Sequence, residues 1–312
     1  SPFAFAADSL TFKDFGHLTV LATAEPQAMG TRELAAHYQD FPLYRAPQML
    51  INAVSQNLPT LVLAVFFGPV TRFDFVWQQS MDLLLAEMDR ARVAHGVVVG
   101  RLAGTLGSVS NDDVLGIMRQ HGSRFIGAAS IDPTSRRGAC DTIDRALEQG
   151  FKLVNIEPGA YPVPMYADDR RLYPIYAHCE DRQVPVIMMV GGTAGPDLSY
   201  SDPIRTDRVL ADFPSLKVVV AHGGWPWVNE ILHIAFRRPN LYLSPDMYFS
   251  RMPGWEEYVK AADGFLADRM LYASSFPFCP VQGYREWFET LPLRPENRQK
   301  VMAENARRLL GL

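Results

Sequence analysis

From Met49 onward the chain alternates short runs of β-branched and other apolar residues with longer stretches whose apolar positions recur every three to four residues. The first pattern has the period of a buried strand, the second that of an amphipathic helix. The strand-like runs are Met49–Val54, Gly96–Gly100, Phe125–Ile131, Lys152–Glu157, Val184–Val190, Lys217–His222, Leu241–Ser244 and Met270–Ser274. Helical patterns lie at Met81–Val93, Asn111–His121, Arg137–Gln149, Arg170–Asp181, Asp207–Phe213, Trp227–Phe236, Gly254–Ala267, Val281–Thr290 and Pro295–Leu310. Strands that alternate with helices predict βαβ units and a parallel sheet. Eight of them predict a distorted (β/α)8 TIM barrel over residues 49–312, because an open doubly wound sheet usually stops at about five or six strands. Residues 1–48 hold no sustained period and are broken by Pro26, Gly30 and Pro42; they read as an N-terminal extension with at most a short helix at Thr31–Gln39.

Local chemistry agrees with several of these boundaries. Ser110-Asn111-Asp112-Asp113 offers an N-cap and an acidic first turn. Gly150 follows a helical pattern where a left-handed C-cap is favoured. Arg237-Arg238-Pro239 places cations and then a stop at a helix C-terminus.

Composition narrows the function. Thirty Lys and Arg against 34 Asp and Glu give a formal charge of -4, which argues against a broadly basic nucleic-acid binder. No apolar run reaches the eighteen or so residues of a membrane helix. Cys140, Cys179 and Cys279 are too scattered for a disulfide framework or zinc knuckle, and fit a reducing, cytoplasmic setting. The opening Ser-Pro-Phe-Ala-Phe-Ala-Ala resembles the tail of a secretory signal, so periplasmic export is the other reading. No Gly-x-Gly-x-x-Gly or Walker A sequence follows any strand, so no nucleotide cofactor is expected.

In a barrel of this kind chemistry sits at the C-terminal ends of the strands. The groups there are Gln56, Arg101, Asp132, Asn155, Glu157, the Met188-Met189-Val190-Gly191-Gly192 turn, His222, Asp246 and Ser275. His222, Glu157 and Asp246 are the candidates for acid–base work. Arg101 is placed to fork onto a substrate carboxylate, or else to pair with Glu157 or Asp246. Tyr161, Tyr248, Asn155, Ser275, Met189 and Gln56 are candidate substrate contacts, and the Gly191-Gly192 amides a candidate oxyanion site.

Two segments carry a family resemblance: Lys217-Val-Val-Val-Ala-His-Gly-Gly-Trp-Pro-Trp-Val-Asn-Glu230 and Arg269-Met-Leu-Tyr-Ala-Ser-Ser-Phe-Pro-Phe278. With Pro185–Gly192 and the closing Glu304–Leu310, they resemble the amidohydrolase-related (type 2) branch of the amidohydrolase superfamily. The resemblance implies a TIM barrel and an enzyme, since the branch includes lactonases, decarboxylases, hydratases and hydrolases. It also implies a metal site of two histidines on the first strand, one each on the fifth and sixth, and an aspartate on the eighth. Here those places hold Val54, Gln56, Met189, His222 and Ser275, so four of five are substituted. One imidazole in that company is not expected to hold zinc, and no catalytic metal is expected. The expected function is a metal-independent hydrolase of a small carboxylated acid, concretely a lactonase, in which Arg101 clamps the carboxylate, Asp246 or Glu157 activates water and His222 polarises the carbonyl or moves the proton. The alternatives are a decarboxylase or hydratase, and a non-catalytic small-molecule binder on the same scaffold. A homodimer is the expected assembly on frequency alone.

Overall fold

The computed structural model describes residues 81–103, 108–192, 195–250, 252–276 and 279–312. The candidate strand Met49–Val54, the positions Val54 and Gln56, and the extension 1–48 lie outside the described residues. Those described fall into two compact units: 81–93, 274–276 and 279–288 in the smaller, the rest in the larger.

The smaller unit holds α1 (Met81–Arg90) and most of α8 (Val281–Glu289). The Glu87 carboxylate accepts the backbone N–H of Val281, and Arg285 donates to the carbonyl of Ala91.

The larger unit is a curled half-barrel. Its six parallel strands are β1 (Gly96–Val99), β4 (Phe125–Ser130), β5 (Leu153–Ile156), β6 (Val186–Met189), β7 (Val218–Ala221) and β8 (Leu241–Ser244), neighbours in that order. Helices run between them: α2 (Asn111–His121), α3 (Arg136–Glu148), α4 (Tyr173–Asp181), α5 (Pro203–Asp212) and α6 (Val228–Arg237). After β8 come α7 (Trp255–Ala262), α9 (Pro295–Gln299), a π-helical turn over Lys300–Glu304 and α10 (Asn305–Leu310). The predicted single helix over 295–310 is therefore interrupted by a widened turn.

Two further departures concern strands. Met270–Ser274, read as the last strand, contributes one bridge among the described residues, Leu243 to Met270. An antiparallel pair, β2 (Arg101–Leu102) and β3 (Ser108–Val109), was not anticipated; two residues carry too little pattern to show a period.

Strand periodicity explains the core. Ile126, Ala128, Leu153, Ile187, Val219, Ala221 and Tyr242 point to one face and form a cluster with Leu309 and Leu310 of α10. The alternate residues face the surrounding helices, as where Ala129 meets Val114, Leu115, Ala146 and Phe151. Parallel strands covered on both faces read as nearly continuous apolar runs, which is why Val218–Val220 is Val-Val-Val.

Capping follows the sequence. The Ser110 side chain accepts from Asp113 N while Asp113 accepts from Ser110 N, a complete capping box for α2. At the opposite ends of the strands, Asn240 Nδ2 lies within 3.2 Å of the carbonyls of Leu210, Phe213 and Leu216. This amide is buried and satisfies carbonyls in the last turn of α5 and in the loop after it. Asn240→Ala is expected to lower unfolding free energy by about 2 kcal/mol, the cost of leaving buried carbonyls unpaired, as read by thermal or urea melting.

Candidate active site

Inward parity delivers polar groups at the top of the larger unit. Along β5, Leu153 belongs to the interior cluster, and Asn155 and Glu157 continue the same face past the last strand residue. Both are buried. Arg101 grips Glu157 with two parallel bonds, Nε to Oε1 at 2.9 Å and Nη2 to Oε2 at 2.6 Å. Asn155 Nδ2 donates to the same Oε1 at 3.0 Å and to the carbonyl of Gly100 at 2.9 Å. Burial works against the Arg101 charge, but the Glu157 carboxylate more than offsets it and holds the guanidinium above its usual range. Of the two readings of Arg101, pairing with Glu157 is the one the geometry shows. The pair uses one edge of the guanidinium; Nη1 has no partner among the described residues.

The second ion pair lies after β7 and β8. Asp246 Oδ2 accepts from the backbone N–H of His222 at 2.8 Å and from its Nδ1 at 2.9 Å. Both residues are left-handed, His222 at φ 61° and Asp246 at φ 46°. Such backbone costs on the order of 1 kcal/mol or more in a residue with a Cβ, and it persists where surrounding contacts dictate it. Asp246 is 3 % exposed, and the His222 side chain is a quarter exposed. Burial lowers the proton affinity of His222, but Asp246, by charge and hydrogen bond, and Glu157 raise it further; Arg101 opposes them. The net shift is upward, toward the protonated form. Nε2 keeps no partner among the described residues. Both pairs stand just past the C-terminal ends of strands of the same sheet, Arg101 and Glu157 after β1 and β5, His222 and Asp246 after β7 and β8.

The shift fixes a pH dependence. The unfolded imidazole titrates near 6.5 and the folded one above it, so the stabilisation from this pair is complete below about pH 6.5 and is lost as pH rises through the folded value. His222→Gln is expected to remove that decline, seen as a flatter melting temperature between roughly pH 6 and 8.

The other candidates divide. Tyr161 is buried, its N–H donates to the Glu157 carbonyl, and its hydroxyl has no partner among the described residues. Burial, then the Glu157 charge, pushes this phenol far up, so it is a neutral donor. Tyr248 is 2 % exposed, stacked on Trp225 with centroids 5.2 Å apart and edge-on to His222 at 5.7 Å. It is a wall behind the imidazole. Met189 is half-buried at the rim of the interior cluster. Ser275 belongs to the smaller unit, with left-handed backbone at φ 54°. Gln56 is outside the described residues. The Gly191 and Gly192 amides are already spent, on Ser201 Oγ at 3.2 Å and on the Trp225 carbonyl at 2.7 Å, so they supply no oxyanion hole.

Other polar groups have structural roles. His178 pairs with Asp144, Cys179 is buried, and Glu180 caps the amides of Ser215 and Leu216. Asp168 pairs with Arg205 and Arg208 of α5. The residue that sequence reading missed is Tyr258, whose hydroxyl donates to the Gly223 carbonyl at 3.0 Å. It lies 35 positions away within an ordinary amphipathic helix, and no local signal marks it.

The resemblance implies a divalent metal, and the described donors do not fit one. His222 Nδ1 is committed to Asp246, and both Glu157 oxygens are held by Arg101 and Asn155. The remaining candidate donor on β6 is a thioether, a poor ligand for a hard cation. Among the described residues no three His, Cys, Asp or Glu side chains converge as a ligand set. No helix among them is long and apolar enough to cross a membrane.

Comparison with known proteins agrees with the fold. An uncharacterized TIM-barrel protein from Bordetella bronchiseptica is 50% identical, with a TM-score of 0.73, covering 75% of this chain and 84% of that one. A 2,6-dihydroxybenzoate decarboxylase from Rhizobium shares the fold at 16% identity and a TM-score of 0.61, over 75% and 88% of the two chains. A structure described as a probable 2-pyrone-4,6-dicarboxylic acid hydrolase from Acinetobacter baumannii does so at 15% and 0.55, over 73% and 88%. No curated protein matches the chain. The amidohydrolase family model matches residues 64–312, most of the sequence, and the chain belongs to the amidohydrolase family.

Proposed function

We propose that this is a metal-independent hydrolase whose substrate is a small carboxylated organic acid, concretely a lactone. The reading is carried by one arrangement: two ion pairs at the same end of the sheet, each leaving a cationic donor with no partner among the described residues, Arg101 Nη1 and His222 Nε2. The open guanidinium edge takes the substrate carboxylate, as planar forks do. The His222 imidazolium donates its Nε2 proton to the carbonyl or the leaving ring oxygen as charge develops there. Water attacks the carbonyl carbon, and its proton returns to the imidazole, so the site is restored. Asp246 keeps the ring oriented and charged.

The earlier assignment of Glu157 as a base changes in this reading. Both its oxygens are engaged, so it orients Arg101, with Asn155 holding it in turn. The names of two structural neighbours, acting on 2,6-dihydroxybenzoate and 2-pyrone-4,6-dicarboxylic acid, support a carboxylated substrate.

Decarboxylation is the second reading, favoured by the raised proton affinity of His222. Loss of carbon dioxide leaves a carbanion that an imidazolium can protonate, with no attacking water required. A panel of carboxylated lactones and aromatic acids separates the two. Hydroxy-acid formation without gas supports hydrolysis, and stoichiometric carbon dioxide supports the lyase. Binding without turnover of any member contradicts both and leaves a binding protein.

A further inference from the structure

The turn that carries His222 is clamped from two sides. Gly223, the next residue, is left-handed at φ 60°. A Cβ placed there would lie 2.7 Å from the Tyr258 hydroxyl and 3.1 Å from Pro245 Cα. Pro245 immediately precedes Asp246. The Tyr258 hydroxyl donates to the Gly223 carbonyl at 3.0 Å. One contact point therefore sits between the residue after His222 and the residue before Asp246.

Tyr258 is fixed in its turn. It is fully buried on α7, with its ring tilted against Phe249 at 5.8 Å, and Phe249 closes the short turn that begins at Asp246. Burial, with Asp246 and Tyr248 nearby, pushes its phenol far above the usual range, so the group stays a donor. A phenylalanine would fill the same space, so packing alone does not account for the hydroxyl. Its one hydrogen bond goes to the backbone of the turn whose first residue meets Asp246.

We propose that Tyr258 is a positioning residue: its hydroxyl, through the Gly223 carbonyl, holds the left-handed turn in which His222 meets Asp246. The proposal rests on the functional reading above only in calling that pair catalytic; the clamp itself is tested without substrate. The readout is the downfield proton resonance of His222 Nδ1–H in the full chain, assigned by its loss in His222→Gln. Tyr258→Phe is expected to shift this resonance upfield and speed its exchange with water at least tenfold, while Val259→Ala, a packing change on the same helix, lowers melting temperature and leaves it in place. Replacing Tyr258 by p-aminophenylalanine, a weaker donor of similar length, is expected to give an intermediate exchange rate. Wild-type shift and exchange in Tyr258→Phe, or an equal disturbance in Val259→Ala, would overturn the clamp. If Tyr258→Phe does not fold, the p-aminophenylalanine protein decides alone: faster exchange supports the clamp and an unchanged rate overturns it. A normal clamp in a protein that turns over no substrate would defeat the proposed function and leave this inference standing.

Discussion

Asp246→Asn is expected to lower kcat on any substrate the enzyme turns over by about 100-fold or more, with a much smaller change in KM. The amide can still accept a bond from His222, but it removes the charge that holds the proton on the ring. General acid catalysis by a positioned histidine is worth roughly 100- to 10,000-fold, and most of that is lost if the resting imidazole becomes neutral. Substrate binding is assigned to Arg101, so affinity is largely kept. Steady-state kinetics from pH 5 to 8 checks this: the variant recovers part of its rate at the acid end, where solvent supplies the proton. Wild-type kcat throughout would show that the His222–Asp246 pair does not move the proton.

Arg101→Met is expected to remove both stability and affinity. The substitution strands Glu157, 5 % exposed, with Asn155 as its remaining side-chain partner. Breaking a buried pair by deleting one ion costs about 3–5 kcal/mol. A quarter of the Arg101 side chain reaches solvent, so the lower end, about 3 kcal/mol, is the expected loss. The double variant Arg101→Met with Glu157→Leu removes both charges and is expected to return to within about 1 kcal/mol of wild type. It is not expected to regain turnover, because the carboxylate clamp is still missing. Recovery of activity in the double variant would show that Arg101 serves the fold alone.

The fold was legible where each element carried enough residues to show its period. The strand-like runs Lys152–Glu157 and Lys217–His222 and the N-cap at Ser110 placed β5, β7 and α2 closely. Met270–Ser274 touches β8 at one bridge among the described residues, because apolar content alone does not fix how many ladder bonds a run makes. The site was legible in part. Position at the strand ends brought Asn155, Glu157, His222 and Asp246 together as candidates, and motif context singled out His222. Which pairs form was not legible, because a guanidinium with two carboxylates in reach has several solutions until distances are known. The Gly191-Gly192 amides show the same limit: glycines mark an unusual backbone, yet their N–H groups answer to Ser201 and Trp225, both outside the turn. Tyr258 was invisible because it acts through a backbone carbonyl, which every residue has.

The central claim of the proposed function is that this amidohydrolase-family chain does its chemistry with side chains alone. It is tested most directly by measuring metal content and turnover on one preparation before and after exhaustive chelation, using the best substrate of the carboxylate panel. The account predicts less than one-tenth equivalent of zinc, manganese or iron and an unchanged kcat. Turnover lost on chelation and restored by one equivalent of a divalent metal would contradict it.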